Sequence, residues 1–212
     1  MIIVDIRQAK IEDADEAAEL ICMAWGECAY VLAGSDNQKA AQDVIKKFYK
    51  QPDNILSYQN IHVAEGRNGI AGLVLSFPSD HFPRLSKLLV EKLPKFYKSD
   101  AEDYQGKVVP MLKTKEAEPG EYYIDSLAVY PQYRACGIGS RLLKVATLKS
   151  HKLGISKTSL IVKPENKGAL KLYKKHGYSV RGKLKQAGTN FLSMVNPINQ
   201  TGKSSSKKGI IQ

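Results

Sequence analysis

At 212 residues and 43% hydrophobic side chains, the chain has material for one good core and is short for two, so a single domain with an insertion is expected. Its 32 Lys and Arg against 21 Asp and Glu give a formal charge of +11, which favours an anionic partner without choosing among nucleic acid, a membrane surface and a phosphorylated cofactor. The longest apolar runs, such as IAGLVLSF, fall far below the roughly 18 residues of a membrane span, and no basic stretch precedes an apolar core near Met1; a soluble, cytoplasmic protein with no membrane partner is expected.

In chain order, residues 2–7 read as a first strand and residues 12–28 as one alanine-rich helix with acids in its first turn, where the helix dipole favours them. SDNQ, residues 35–38, resembles a capping box opening a second helix that ends no later than Pro52. NIHVAEGRNGIAGLVLSF gives two β-rich runs around a Gly- and Asn-containing turn, a hairpin pattern. Residues 78–119 carry Pro78, Pro83, Pro94, Pro110 and Pro119 around short helical patches such as RLSKLLVEKL and KFYKSDAEDY, and read as a helical insertion placed like a lid. A strand follows over 121–129, a helix over 137–151, a strand over 158–162 and a helix over 166–176 stopped by Gly177. YSVRGK and NFLSMV are strand-like, residues 1–199 form the expected domain, and residues 200–212 read as a flexible tail.

The segment DSLAVYPQYRACGIGSRLL passes from an apolar strand through Pro131, an arginine and two glycines into a helix. A helix start of this kind presents unpaired backbone N–H groups, which makes an anion site; Gly137 and Gly139 let the backbone approach the anion and Arg134 adds a charged donor. A dinucleotide fingerprint would need a third glycine at Leu142, and a Walker loop would need Lys-Ser/Thr after the second glycine. TGKSSS near the C-terminus imitates a Walker loop, but the glycine that motif requires is Pro197. About 30 residues downstream of the loop, LIVKPENKGALKLYKKHGYSV supplies a strand and then Asn166, Ala169 and Tyr173, whose offsets of three and seven place them on one helix face.

Taken together, LAVYPQYRACGIGSRLL and the 160–180 stretch resemble the acyl-CoA signature of the GNAT superfamily of N-acetyltransferases, and IRQAKIEDADEAAELI is similar to that family's first strand and helix. The resemblance implies an α/β (α+β) fold with a central mixed, mostly antiparallel sheet flanked by helices and a helical insertion before the fourth strand. It implies acetyl-CoA as cosubstrate and no metal. The cofactor site would comprise the backbone of Leu127 and Val129, the loop residues Arg134, Gly137, Ile138, Gly139 and Ser140, and Asn166, Ala169 and Tyr173. Leu127 and Val129 also fit as plain core residues. Ala135 stands where the family often has Gly, an exchange that suits a position not requiring positive φ.

The implied reaction transfers an acetyl group to a primary amine by direct attack in a ternary complex. The amine must lose a proton and the leaving thiolate must gain one. Tyr173 matches the family's thiol-protonating tyrosine, with an aromatic packing role as the alternative. Alternation along residues 121–129 puts Glu121, Tyr123, Asp125, Leu127 and Val129 on one face, which makes Asp125 the candidate base, with a structural hydrogen bond as the alternative. Acids of the insertion, Glu102, Asp103, Glu116 and Glu118, suit a cationic acceptor. Cys22, Cys28 and Cys136 show no metal or disulfide pattern. The four histidines show no ligand spacing and receive no role, and the lysines at 163, 167, 171, 174 and 175 read as a solvated helix face. The competing function is a non-catalytic, regulatory CoA-binding module whose basic surface meets RNA, a ribosome or a protein; without aromatic and basic residues interleaved on one sheet, no nucleic-acid partner is expected. The acceptor's identity and the oligomeric state, a homodimer included, stay open.

Overall fold

A computed structural model describes residues 3–97 and 101–198. The tail expected over 200–212 and the middle of the KFYKSDAEDY patch lie outside the described residues. The chain runs β1 (Asp5–Gln8), α1 (Ala14–Trp25), α2 (Glu27–Ala33), α3 (Gln38–Tyr49), β2 (Ile61–Gly66) and β3 (Gly69–Pro78). Next come α4 (Phe82–Lys92), α5 (Ala101–Asp103), a π-helical turn (Tyr104–Val108), α6 (Val109–Lys113) and β4 (Tyr122–Val129). It closes with α7 (Ile138–Lys152), β5 (Lys157–Val162), α8 (Lys167–Lys175), β6 (Ser179–Gln186) and β7 (Thr189–Pro197).

The expected single helix over 12–28 is two helices. Gly26 adopts φ 56°, closes α1 by donating its N–H to the Cys22 carbonyl at 2.9 Å, and stands as the residue before α2. That conformation is costly for a residue with a side chain and cheap for glycine. The second correction is the cap of α3, which is Asn37 and not Ser35: the Asn37 Oδ1 accepts from the Ala40 N–H at 3.1 Å. Ala41, Val44, Ile45 and Phe48 then fall on the buried face of α3 at helical spacing.

Among the described residues, the seven strands form one sheet in the order β1-β2-β3-β4-β5-β7-β6. Every neighbouring pair is antiparallel except β4 and β5, which run parallel. Two apolar clusters cover its faces. One joins α1, α2, α3 and the insertion through residues such as Leu20, Phe48, Phe77 and Tyr123; the other packs Leu142 and Leu143 of α7 and Tyr173 of α8 against Tyr122, Ile124 and Leu160. The insertion packs into the core: Leu85, Leu89, Leu93 and Val108 are at most 3% exposed and belong to the first cluster. Residues this deeply buried hold the main core together, because each contributes the transfer free energy of a whole side chain.

Two irregularities open the sheet at its centre and redirect its side chains. β4 and β5 pair only through Tyr122↔Thr158, Tyr123↔Ser159 and Ile124↔Leu160, so the strands part beyond Ile124. Against β3, Leu75 faces Ser126 while Ser76 faces Ile124, which leaves Asp125 as the extra residue of a β-bulge. The bulge breaks the expected alternation. Tyr123 packs in the cluster under α1, and Asp125 and Ser126 both bond the Trp25 indole of α1, whereas Leu127 and Val129 pack toward α7.

At the far edge, Arg7 grips Asp13 with two bonds of 2.7 and 2.8 Å and also bonds Glu65. Burial pushes the Asp13 carboxyl up, but the Arg7 bonds and the Lys10 N–H outweigh it and hold it below the ordinary carboxylate range. Arg7→Met would leave Asp13, whose side chain is 9% exposed, without its partner. Discounted for the partly open Arg7, and leaving out the solvent-exposed Glu65 arm, the expected loss in urea unfolding at pH 7 is about 2 kcal/mol. Because the Asp13 pKa is depressed, that contribution is complete above the unfolded carboxyl pKa and disappears as pH falls through the folded one, so the two proteins should converge in acid.

Candidate active site

The loop between β4 and α7 is built around two left-handed residues. Gly137 has φ 79° and is the residue before α7, with its carbonyl accepting from the Arg141 N–H at 3.1 Å; a Cβ added there would meet nothing within 4 Å. Ile138, Gly139 and Ser140 therefore open the helix with N–H groups that precede the first intrahelical bond. Ala135 has φ 59°, so the position where the sequence departs from glycine does take positive φ, a strained setting for a residue with a Cβ. The Arg134 Nε donates to the Val129 carbonyl at 3.1 Å, tying the loop to the end of β4 while the side chain stays exposed. Open N–H groups, an exposed guanidinium and a loop with room at Gly137 fit a pyrophosphate.

His176, which the sequence left without a role, lies in this region: its Nε2 is 3.0 Å from the Ser140 Oγ. Asn166 acts as the cap of α8, its Oδ1 accepting from the Ala169 N–H at 3.1 Å, and so it stands before the helix rather than on its face. Ala169 is half-buried and Tyr173 is 7% exposed, its ring 5.8 Å from that of Tyr178. Burial holds the Tyr173 phenol well above its ordinary pKa, with Tyr178 adding to the shift, so Tyr173 carries its proton at any neutral pH. The structure thus brings Leu127, Val129, the 134–140 loop, Ala169 and Tyr173 to the α7 side of the parting between β4 and β5.

A pocket opens on the opposite face, lined by Trp25, Cys28, Glu116, Tyr123, Asp125 and Ile161 among others. The bulge aims Asp125 into it, and one Trp25 indole N–H reaches both the Asp125 Oδ1 at 2.9 Å and the Ser126 Oγ at 3.0 Å, while the Ser126 hydroxyl donates to the same Oδ1 at 2.8 Å. Burial raises the Asp125 pKa more than these bonds lower it. Of the four insertion acids singled out in the sequence, Glu116 lines this pocket; Asp103 and Glu118 instead pair with Lys107 and Lys115, and Glu102 is exposed. The Glu116 carboxylate accepts from the Tyr123 hydroxyl and from the Gln186 amide. Burial first, and then the nearby Asp125 charge, push its pKa up to about 8 against the pull of those two bonds. Cys136 is exposed, whereas burial raises the thiols of Cys22 and Cys28 to about 11. No helix among the described residues is long and apolar enough to cross a membrane.

Residues 77–178 match the acetyltransferase (GNAT) family. The chain is similar to the N-acetyltransferase from Staphylococcus aureus Mu50, with a TM-score of 0.72 and 28% identity over 90% of this chain and 99% of that one. A second solved acetyltransferase superposes with a TM-score of 0.69 at 22% identity, covering 92% and 100% of the two chains. The NatC complex bound to Gag peptide and CoA shares the fold at a TM-score of 0.52 and 15% identity, over 92% of this chain and 99% of that one. No curated relative matches the chain.

Proposed function

We propose that the chain, whose residues 77–178 match the acetyltransferase (GNAT) family, transfers the acetyl group of acetyl-CoA to a primary amine by direct attack in a ternary complex. The observation that carries this reading is the parting of β4 and β5 beyond Ile124, with an anion-binding helix start on one face and an acidic pocket on the other. Two substrates can then meet through the sheet from opposite sides.

Arg134 and the N–H groups of Ile138, Gly139 and Ser140 hold the coenzyme's pyrophosphate, with Gly137 giving the turn its shape. The edge of β4 at Leu127 and Val129, paired with β3 but left open by β5, lies alongside the pantetheine arm, and a backbone N–H there polarises the acyl carbonyl. Asn166 acts indirectly by starting α8, which carries Ala169 and Tyr173 toward the cleft. Acetyl-CoA supplies an activated acyl group. Tyr173, held protonated, gives its proton to the departing sulfur, and Asp125, on the acceptor side, takes one from the amine.

The test is thiol release from acetyl-CoA in the presence of a panel of amines: alkylamines, arylalkylamines, amino acids, polyamines, aminoglycosides and lysine peptides. Amine-dependent release with formation of the N-acetyl product is the expected result. Calorimetric binding of acetyl-CoA with no amine-stimulated release across the panel would replace the enzyme reading with that of a CoA-binding module.

A further inference from the structure

The acceptor pocket contains two carboxylates brought together from β4 and from the end of the insertion, and the acyl transfer proposed above employs one of them. Neither is balanced by a cation, since the pocket lining includes no Lys, Arg or His. Burial without a cationic partner disfavours the ionised form of both acids, so a cationic guest, which stabilises that form, gains most from a pocket of this kind. Its walls are apolar: Trp25, Ile55, Phe82, Met111, Leu112 and Phe191 surround the acids. A second pocket shares Phe82, Glu116 and Tyr123 with the first, which sets Glu116 at the junction of the two.

The Glu116 carboxylate is also fixed in place. One oxygen accepts from the Tyr123 hydroxyl and the other from the Gln186 side-chain amide, so each has a lone pair left and neither can swing away. Tyr123 lies two residues before Asp125 on the same face of the bulged strand, and Gln186 ends β6. An insertion acid, a central strand and the terminal hairpin therefore converge on one point in the pocket.

We propose that Glu116 is a second catalytic residue, which with Asp125 binds the acceptor as a primary ammonium on an apolar stem and takes the first proton from it. This deepens the acyl-transfer reading above and rests on it. The proton balance is complete. The ammonium gives one proton to Glu116, and the freed nitrogen lone pair forms the C–N bond. The C–S bond breaks with its electron pair on sulfur, which takes the Tyr173 proton. The nitrogen's second proton passes to Asp125. Tyr173 is reprotonated, the carboxylates return to their resting state, and one proton per turnover reaches solvent.

The groups facing Glu116 set the pH behaviour. On the first pocket's side they are Asp125 and the neutral Tyr123 from β4, the neutral thiol of Cys28 from α2, and the uncharged Gln186 from β6; on the second pocket's side the lining also carries Asp80, Lys113 and Lys115. Burial raises the Glu116 pKa most and the Asp125 charge adds to it, so removing that charge lowers the pH at which Glu116 becomes a base.

The experiment uses the full chain, with 2-phenylethylamine as probe and phenylalanine as its carboxylate-bearing counterpart. With acetyl-CoA, kcat/KM for 2-phenylethylamine is expected to exceed that for phenylalanine by roughly 100-fold, because the added carboxylate repels the ionised forms of Asp125 and Glu116 that the reaction requires. It should rise with pH through a limb near pH 8. Glu116→Gln, an isosteric amide, should lower kcat/KM by about 10²-fold and remove the limb, whereas Asp125→Asn should move the limb to lower pH. Independently of turnover, calorimetry of 2-phenylethylamine near pH 7 in buffers of different ionisation enthalpy should show proton release on binding by the wild type and none by Glu116→Gln. Equal use of phenylalanine, an unchanged limb or unchanged proton release in Glu116→Gln, or no binding of 2-phenylethylamine would overturn the proposal. Binding with proton release but no acetylation of any amine would instead sink the acyl-transfer reading and leave the ammonium site standing.

Discussion

Gly139→Glu should bind acetyl-CoA at least about 100-fold more weakly than the wild type, a loss of roughly 2.7 kcal/mol. Gly139 is the second residue of α7, where the first-turn N–H groups and the helix dipole make the local field positive. A carboxylate at that point cancels the field and sets like charge against the pyrophosphate. Packing must be separated from charge, because a Cβ at Gly139 would sit 3.3 Å from the Leu172 Cδ2 of α8. Gly139→Ala makes that contact without the charge, and Leu172, a half-buried side chain, has room to yield. The expected result is therefore a small loss for Gly139→Ala and a large one for Gly139→Glu, read by calorimetry with thermal unfolding as the control. Equal losses in the two would make the effect steric, and unchanged affinity in Gly139→Glu would remove the loop from the cofactor site.

The features legible in the sequence are those set by residues close together in the chain. The loop from Arg134 to Ser140 could be read because Gly137 and Gly139 impose local backbone requirements, and the end of α8 could be read because Gly177 stops the helix, whereas Asn166 proved to be its cap and not part of its face. The parts that escaped depend on distant partners. The bulge at Asp125 exists only in register with Leu75 and Ser76 of β3, so period-two counting along β4 carried Leu127 and Val129 to the wrong face. The Asp125 partner, Trp25, is a hundred positions away, and the His176 partner, Ser140, is thirty-six away; no spacing rule reaches either. The insertion was legible as short helices but not as core, because its leucines at 85, 89 and 93 look like those of any amphipathic helix until α1 and α3 close over them. Glu116 was one of four insertion acids in the sequence. Its distinction, a hydrogen bond to Tyr123 inside a pocket, arises only when the insertion folds back on β4.

Tyr173→Phe should lower kcat by roughly 10²-fold while leaving acetyl-CoA affinity within a small factor of wild type. The substitution keeps the ring, and with it the contact with Tyr178 and the packing against the α7 cluster, so only the hydroxyl is lost. A thiolate departs more readily when a proton is delivered as the C–S bond breaks, and burial keeps the Tyr173 proton in place across the working pH range. Tyr173 lies on the α7 side of the parted strands and the Asp125 and Glu116 pair on the other, which matches a reaction that removes protons from nitrogen on one face and supplies one to sulfur on the opposite face. The loss should accordingly fall on kcat and kcat/KM together, as for a group whose interaction is made only in the transition state. It should not move the limb near pH 8 assigned to Glu116, since the two groups sit on different faces of the sheet. A wild-type kcat in Tyr173→Phe would show that the thiolate leaves unassisted and would reduce Tyr173 to the packing residue its buried ring already makes it.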